Sequence, residues 1–152
     1  MTPLILAAHG GHMKCVQYLV EQGANIKKID SYGKNAFVYA SIKHGHLEVV
    51  QYLIDKGANI DQKDMEGNSS LILAAKRNHK EVLSYLLSEG ALVNEQNRMG
   101  FTSLMYASQN GNLDIVVHLV HHGANPRIYN RNGETAKTLA FRYDHMDVFR
   151  YL

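Results

Sequence analysis

The chain has 152 residues, 45% of them hydrophobic and 20% charged, with a formal net charge of +2 at pH 7. That length suits one domain with a sizeable core, and so small a net charge leaves no footprint of nucleic-acid binding. There is no long apolar run to span a membrane, no N-terminal signal-peptide pattern and, with Cys15 as the only cysteine, no disulfide framework. A soluble intracellular protein, cytoplasmic or nuclear, is expected.

The first element, TPLILAAHGGH, reads as a helix. Thr2 is placed to cap it, Pro3 occupies the first helical position where a missing N–H costs nothing, and Leu4, Ala7 and Ala8 line one side. A second helix follows, clearest one unit later in EVVQYLIDKGA, where Val49, Val50, Leu53 and Ile54 fall on one face and Gly57 ends the run. Then ANIDQKDMEG is turn-like, with Asp64 and Gly67 set for a tight hairpin. The three-part unit returns along the whole chain. Gly23-Ala24, Gly57-Ala58, Gly90-Ala91 and Gly123-Ala124 recur at spacings of 34, 33 and 33 residues. Gly33, Gly67, Gly100 and Gly133 keep the same steps, as do Ala7, Ala40, Ala74, Ala107 and Ala140. The longer step comes from one extra residue within Ile42 to His44.

Neither helix of a unit can bury its apolar face alone, but stacked neighbours can. The spacing predicts an all-α solenoid of helix-turn-helix units joined by β-hairpin-like loops. It forms a single domain over 1–152, with units at about 1–29, 30–63, 64–96, 97–129 and 130–152. The chain opens inside a first helix and stops inside a second, so a longer parent chain is expected.

TPLILAA, GHLEVVQYLIDKGANI and DMEGNSSLILAA resemble the ankyrin repeat over essentially all 152 residues. The resemblance implies a turn, a TPLH-type first helix and a longer second helix in each unit, and a binding surface made of hairpin tips and first helices. The family's TPLH histidine is replaced throughout, by Ile5, Val38, Ile72, Met105 and Thr138, and Asn35-Ala36 and Ser69-Ser70 replace Thr-Pro. Moderate stability is therefore expected, with unit two the softest. Lys137 stands where Leu4, Phe37, Leu71 and Leu104 stand elsewhere, so the outer side of unit five should be solvated, as in a capping repeat.

The periodicity leaves little for catalysis. His12, His46, His79 and His145 share one repeat position and match the GH of the family pattern, which implies structural use. Cys15 aligns with Val49, Val82, Ile115 and Val148 and is expected in the core. Tyr18, Tyr52, Tyr85 and Tyr151, with His118 in the fourth unit, form another structural series. His118, His121 and His122 have zinc-compatible spacing, but nothing nearby completes a site, and histidines suit a helix C-terminus anyway. No enzyme activity, metal or cofactor is expected. LLSEGALVN resembles the loop in which ankyrin asparagines are hydroxylated, with Asn94 at the acceptor position, although Leu92 replaces the preferred acid.

What the repeat does not need is left for a partner. Beside the hairpin glycines stand Tyr32, Lys34, Met65, Glu66, Arg98, Met99, Phe101 and Arg131. At the ends of the first helices stand Lys43, His44, Lys76, Arg77, Gln109, Asn110, Arg142 and Tyr143, and Tyr129 precedes the last hairpin. Hairpins and first helices carry 12 basic and 6 acidic residues; second helices and their flanking turns carry 4 basic and 8 acidic. Such a division would steer an acidic segment onto the hairpin side, and Arg mixed with aromatics suits a hot spot. The expected function is a monomeric, non-catalytic scaffold binding a protein or peptide of acidic character on the concave face. Tyr32, Met65, Met99, Phe101 and Tyr129 are the expected anchors. The alternative is a targeting segment of a larger enzyme, channel or pathogen effector. Nucleic acid is disfavoured because no continuous phosphate-tracking stripe is present.

Overall fold

A computed structural model describes residues 1–42 and 45–152; Lys43 and His44, and with them the extra residue of unit two, lie outside the described residues. Ten helices follow in five pairs: α1 (Pro3–His9) and α2 (Met13–Glu21); α3 (Ala36–Ile42) and α4 (Leu47–Asp55); α5 (Ser70–Lys76) and α6 (Lys80–Ser88); α7 (Ser103–Gln109) and α8 (Leu113–His121); α9 (Ala136–Arg142) and α10 (Met146–Tyr151).

Each first helix starts at a side-chain cap. Thr2, Asn35, Ser69, Thr102 and Thr135 accept the backbone N–H three residues on, at 3.0–3.4 Å. Asn35 and Ser69 thus preserve the cap where the Thr-Pro pair is lost. The replacements of the family histidine are absorbed by the core: Ile5, Val38, Ile72 and Met105 are buried, and only Thr138 is exposed.

The first helices stack in a row, α1 on α3, α3 on α5, α5 on α7 and α7 on α9, and the second helices meet one another less closely. The buried alanines at Ala7, Ala40, Ala74, Ala107 and Ala140 permit that close approach. Phe37, Leu53, Leu71, Leu83, Leu104 and Leu119 fill the space between the helices. Each such side chain contributes about 1.5–3 kcal/mol of apolar burial.

Cys15 corrects one expectation. Val49, Val82, Ile115 and Val148 are buried, whereas Cys15 is exposed: among the described residues α2 has a second-helix neighbour on one side only, α4. Tyr18 and Tyr151 are likewise exposed, so the tyrosine series is half-buried only at Tyr52 and Tyr85. At the other end Lys137 is exposed as expected, its ammonium 4.9 Å from the Phe149 ring. That face is not wholly polar, however. Phe141 is 62% exposed and packs on Phe149 at 5.4 Å.

Candidate partner-binding surface

Four hairpins in register build the surface. Asp30 Oδ1 accepts from the N–H groups of Tyr32 and Lys34 at 2.9 and 3.1 Å. Asp64 does the same for Glu66 and Asn68, Asn97 for Met99 and Phe101, and Asn130 for Asn132 and Glu134. A short side chain that bonds the backbone two and four residues on makes a turn without strand pairing. The loops are accordingly Asx turns; the single isolated bridge among the described residues joins Lys63 and Ser69. Successive tips are tied by backbone bonds: Met65 N–H to the Tyr32 carbonyl, Arg98 to Glu66, and Arg131 to Met99, at 2.9–3.0 Å. At Gly100 (φ 79°) the next hairpin comes so near that a β-carbon would lie 2.9 Å from the Arg131 nitrogen. Only glycine fits there.

The tips project Tyr32, Met65, Glu66, Arg98, Met99 and Arg131, all exposed. Met99 and Phe101 differ although they flank the same glycine. Met99 is 55% exposed, while Phe101 is half-buried with its ring 4.9 Å from Tyr106 of α7. Lys34 is spent internally, 3.8 Å from Asp64 and about 6 Å from the rings of Tyr32 and Tyr39. Arg142 is ion-paired with Glu134. Exposed Tyr143 follows it at the end of α9. Lys76, Arg77, Gln109, Asn110 and Tyr106 line a cleft of about 260 Å³ between the ends of α5 and α7. Tyr129 lies apart from these groups, in a cleft with Pro126, Arg127, Thr135, Lys137 and Leu152 on the outer side of unit five. Lys43 and His44, also expected on this surface, lie outside the described residues.

Beneath the tips runs a buried polar network. Asn97 donates to Asn68 Oδ1 at 2.8 Å and to the Tyr106 hydroxyl at 3.3 Å, and Asn68 donates to Asp64 and Glu66. Tyr39 donates to Asp30 Oδ2 at 2.7 Å. Desolvation opposes ionisation of Asp30, but the hydrogen bonds from Tyr39, Lys34 and Tyr32 outweigh it and hold its carboxyl below the usual value. Desolvation and the Asp30 partner push the Tyr39 hydroxyl up to about 12.

Tyr39 and Tyr106 were not among the sequence candidates. They share one position of the first helix with Leu6, Leu73 and Leu139. Alternation of Tyr with Leu at an otherwise apolar position was the available signal.

Asn94 is exposed with both ends of its amide engaged: it donates to the Gly123 carbonyl at 3.0 Å and accepts from Asn125 N–H at 2.7 Å. Asp61, one unit earlier, accepts from Leu92 N–H in the same way. His122 Nδ1 lies 2.8 Å from the His118 carbonyl, and the two rings pack at 4.5 Å. Burial, then His122, Lys80 and His121, hold His118 below its usual pKa. Among the described residues no three His, Cys, Asp or Glu side chains group to hold a metal ion, and no helix is long and apolar enough to cross a membrane.

Paired helices stacked through small side chains, with tied hairpins along one edge, define a helical repeat solenoid. A family model for ankyrin repeats (3 copies) matches residues 1–64 and 59–130, and the chain belongs to the ankyrin-repeat family. Repeats of this family generally serve as protein–protein interaction modules and are typically non-catalytic. No curated protein matches the sequence.

Proposed function

We propose that the chain is a monomeric, non-catalytic intracellular scaffold that binds a peptide or protein of acidic character on its hairpin and first-helix side. One observation carries this reading. Lys34, Lys63, Lys80 and Arg142 have carboxylate partners, whereas among the described residues Lys76, Arg77, Arg98 and Arg131 make no ion pair. These four lie in units three to five, interleaved with Met99, Phe101 and Tyr106. Unpaired cations beside exposed Met99 and the half-buried rings of Phe101 and Tyr106 favour an anionic partner that also has something to bury.

The experiment is a pull-down with the 152-residue chain at low and moderate salt, beside the double variant Arg98→Ala/Phe101→Ala. Capture of proteins that is weakened both by salt and by the double variant is the expected result. Capture indifferent to both removes the surface, and capture abolished by nuclease in place of protease points to nucleic acid.

A further inference from the structure

We infer that the cleft between α5 and α7 is a subsite for one carboxylate, the Asp or Glu side chain of an extended peptide whose neighbouring apolar residue rests on Met99 and Phe101. This rests on the proposed scaffold function and adds to it a position and a chemistry.

The end of a helix ordinarily repels an anion, because its last carbonyls point outward. Here the Asn110 amide donates toward the Ala75 and Lys76 carbonyls at 3.3 and 3.2 Å, covering that end of α5. The charged groups lining the cleft are therefore Lys76 and Arg77. The Lys76 ammonium stands 5.0 Å from the centre of the Tyr106 ring. That ring is itself fixed, by Phe101 on one side and by the Asn97 amide at its hydroxyl. A cation held on an aromatic face is oriented without being neutralised, so an arriving carboxylate meets a placed charge.

Two cations on this side show what a neutralised site looks like. Lys34, beside the Tyr39 ring, has Asp64, and Arg142, at the position of Lys76 in the last unit, has Glu134. The surroundings also limit the ligand. Glu66 and Glu134 flank the basic tips on this side, which breaks the continuous positive track that a polyphosphate backbone requires. Phe101, whose ring packs on Tyr106 of the cleft, supplies the adjoining apolar ledge, and Met99, 55% exposed, stands two residues earlier in the same hairpin.

The test is selection of short random phage-displayed peptides on the immobilised chain, repeated on Lys76→Gln/Arg77→Gln and on Met99→Ser, each checked for unchanged helix content. The unaltered chain is expected to select an acidic residue beside an apolar one. The charge variant is expected to lose the acidic preference, and binding of a peptide selected on the unaltered chain should weaken about tenfold. The Met99 variant is expected to keep the acid and relax the apolar neighbour. An acidic preference that survives in the charge variant, or a neutral consensus on the unaltered chain, overturns the subsite and leaves the scaffold reading standing. Failure to recover any binding peptide overturns both.

Discussion

His145 lies with its imidazole over Gly111, in the space that any β-carbon there would need, while its Nε2 pairs with the Gln109 carbonyl at 3.0 Å. The same junction joins His79 to Gly45 and the Ile42 carbonyl, and the His46 ring covers Gly11. In unit four the histidine is replaced by Asn112, and the corresponding residue beneath is Asn78 (φ 60°), not glycine. The upper and lower residues of each junction change together. Gly111→Ala is therefore expected to cost more than Gly123→Ala. Both glycines have positive φ, but Gly123 has nothing within 4 Å of its added carbon. Backbone strain alone costs about 1–2 kcal/mol; displacing His145 and its hydrogen bond adds about 1 kcal/mol. Urea unfolding of the two variants measures the difference, and equal losses would deny the junction its role.

Those histidines are also expected to differ among themselves. His79→Ala removes a 2.7 Å bond to the Ile42 carbonyl and leaves that acceptor part-buried, a loss of about 1–3 kcal/mol. His12 is exposed and its ring lies over Gly10 of its own unit, so His12→Ala should fall within about 0.5 kcal/mol of the parent. Thermal unfolding of both variants checks the contrast.

The fold was legible because its landmarks are backbone requirements that recur in phase. Gly67 at φ 79° recurs as a glycine in all four hairpins, and the Thr102 cap on Met105 recurs as Thr, Asn or Ser in all five units. What was not legible depends on neighbours in the stack rather than on the unit. Cys15 carries the same letter class as Val49 yet, among the described residues, has no earlier unit stacked beside it, so position in the repeat predicted burial and position in the stack reversed it. Arg142 read as an open cation, but Glu134, eight residues earlier, returns to meet it. Tyr106 was hidden because it shares a repeat position with leucines, although its ring joins Phe101 to the Lys76 ammonium.

The Tyr39–Asp30 pair gives the fold a pH signature. Tyr39 has its folded-state pKa raised from 10.0 to about 12, so its contribution is fully present below pH 10 and is lost as pH rises through about 12. Asp30 is lowered from 3.8, so its contribution is present above that value and is lost as pH falls below it. Tyr39→Phe removes the donor and its alkaline titration, and leaves Asp30 with only its bonds from the Tyr32 and Lys34 N–H groups. It is expected to flatten part of the stability loss between pH 10 and about 12 and to shrink the acid-side loss. The remaining alkaline slope belongs in part to Tyr85, which desolvation, Glu89 and Asp55 also push up. Denaturant midpoints across both limbs test this, and curves parallel to the parent on both sides would contradict it.

Met99 and Phe101 flank the same turn glycine, and stability should separate what the sequence could not. Phe101 packs on Tyr106 at 4.9 Å and is half-buried, so Phe101→Ala loses an aromatic pair of about 0.5–1.5 kcal/mol together with its buried area. Met99 is 55% exposed, and Met99→Ser should change stability by no more than about 0.5 kcal/mol. Loss of the Phe101 ring also frees Tyr106, and with it the platform under Lys76, so its effect on partner binding should carry a salt dependence that Met99→Ser lacks. Chemical unfolding reads the first difference and titration with a captured partner at two salt concentrations reads the second. If both variants lose stability equally and bind with the same salt response, Met99 is packed structure like Phe101 and the ledge is not open for a partner.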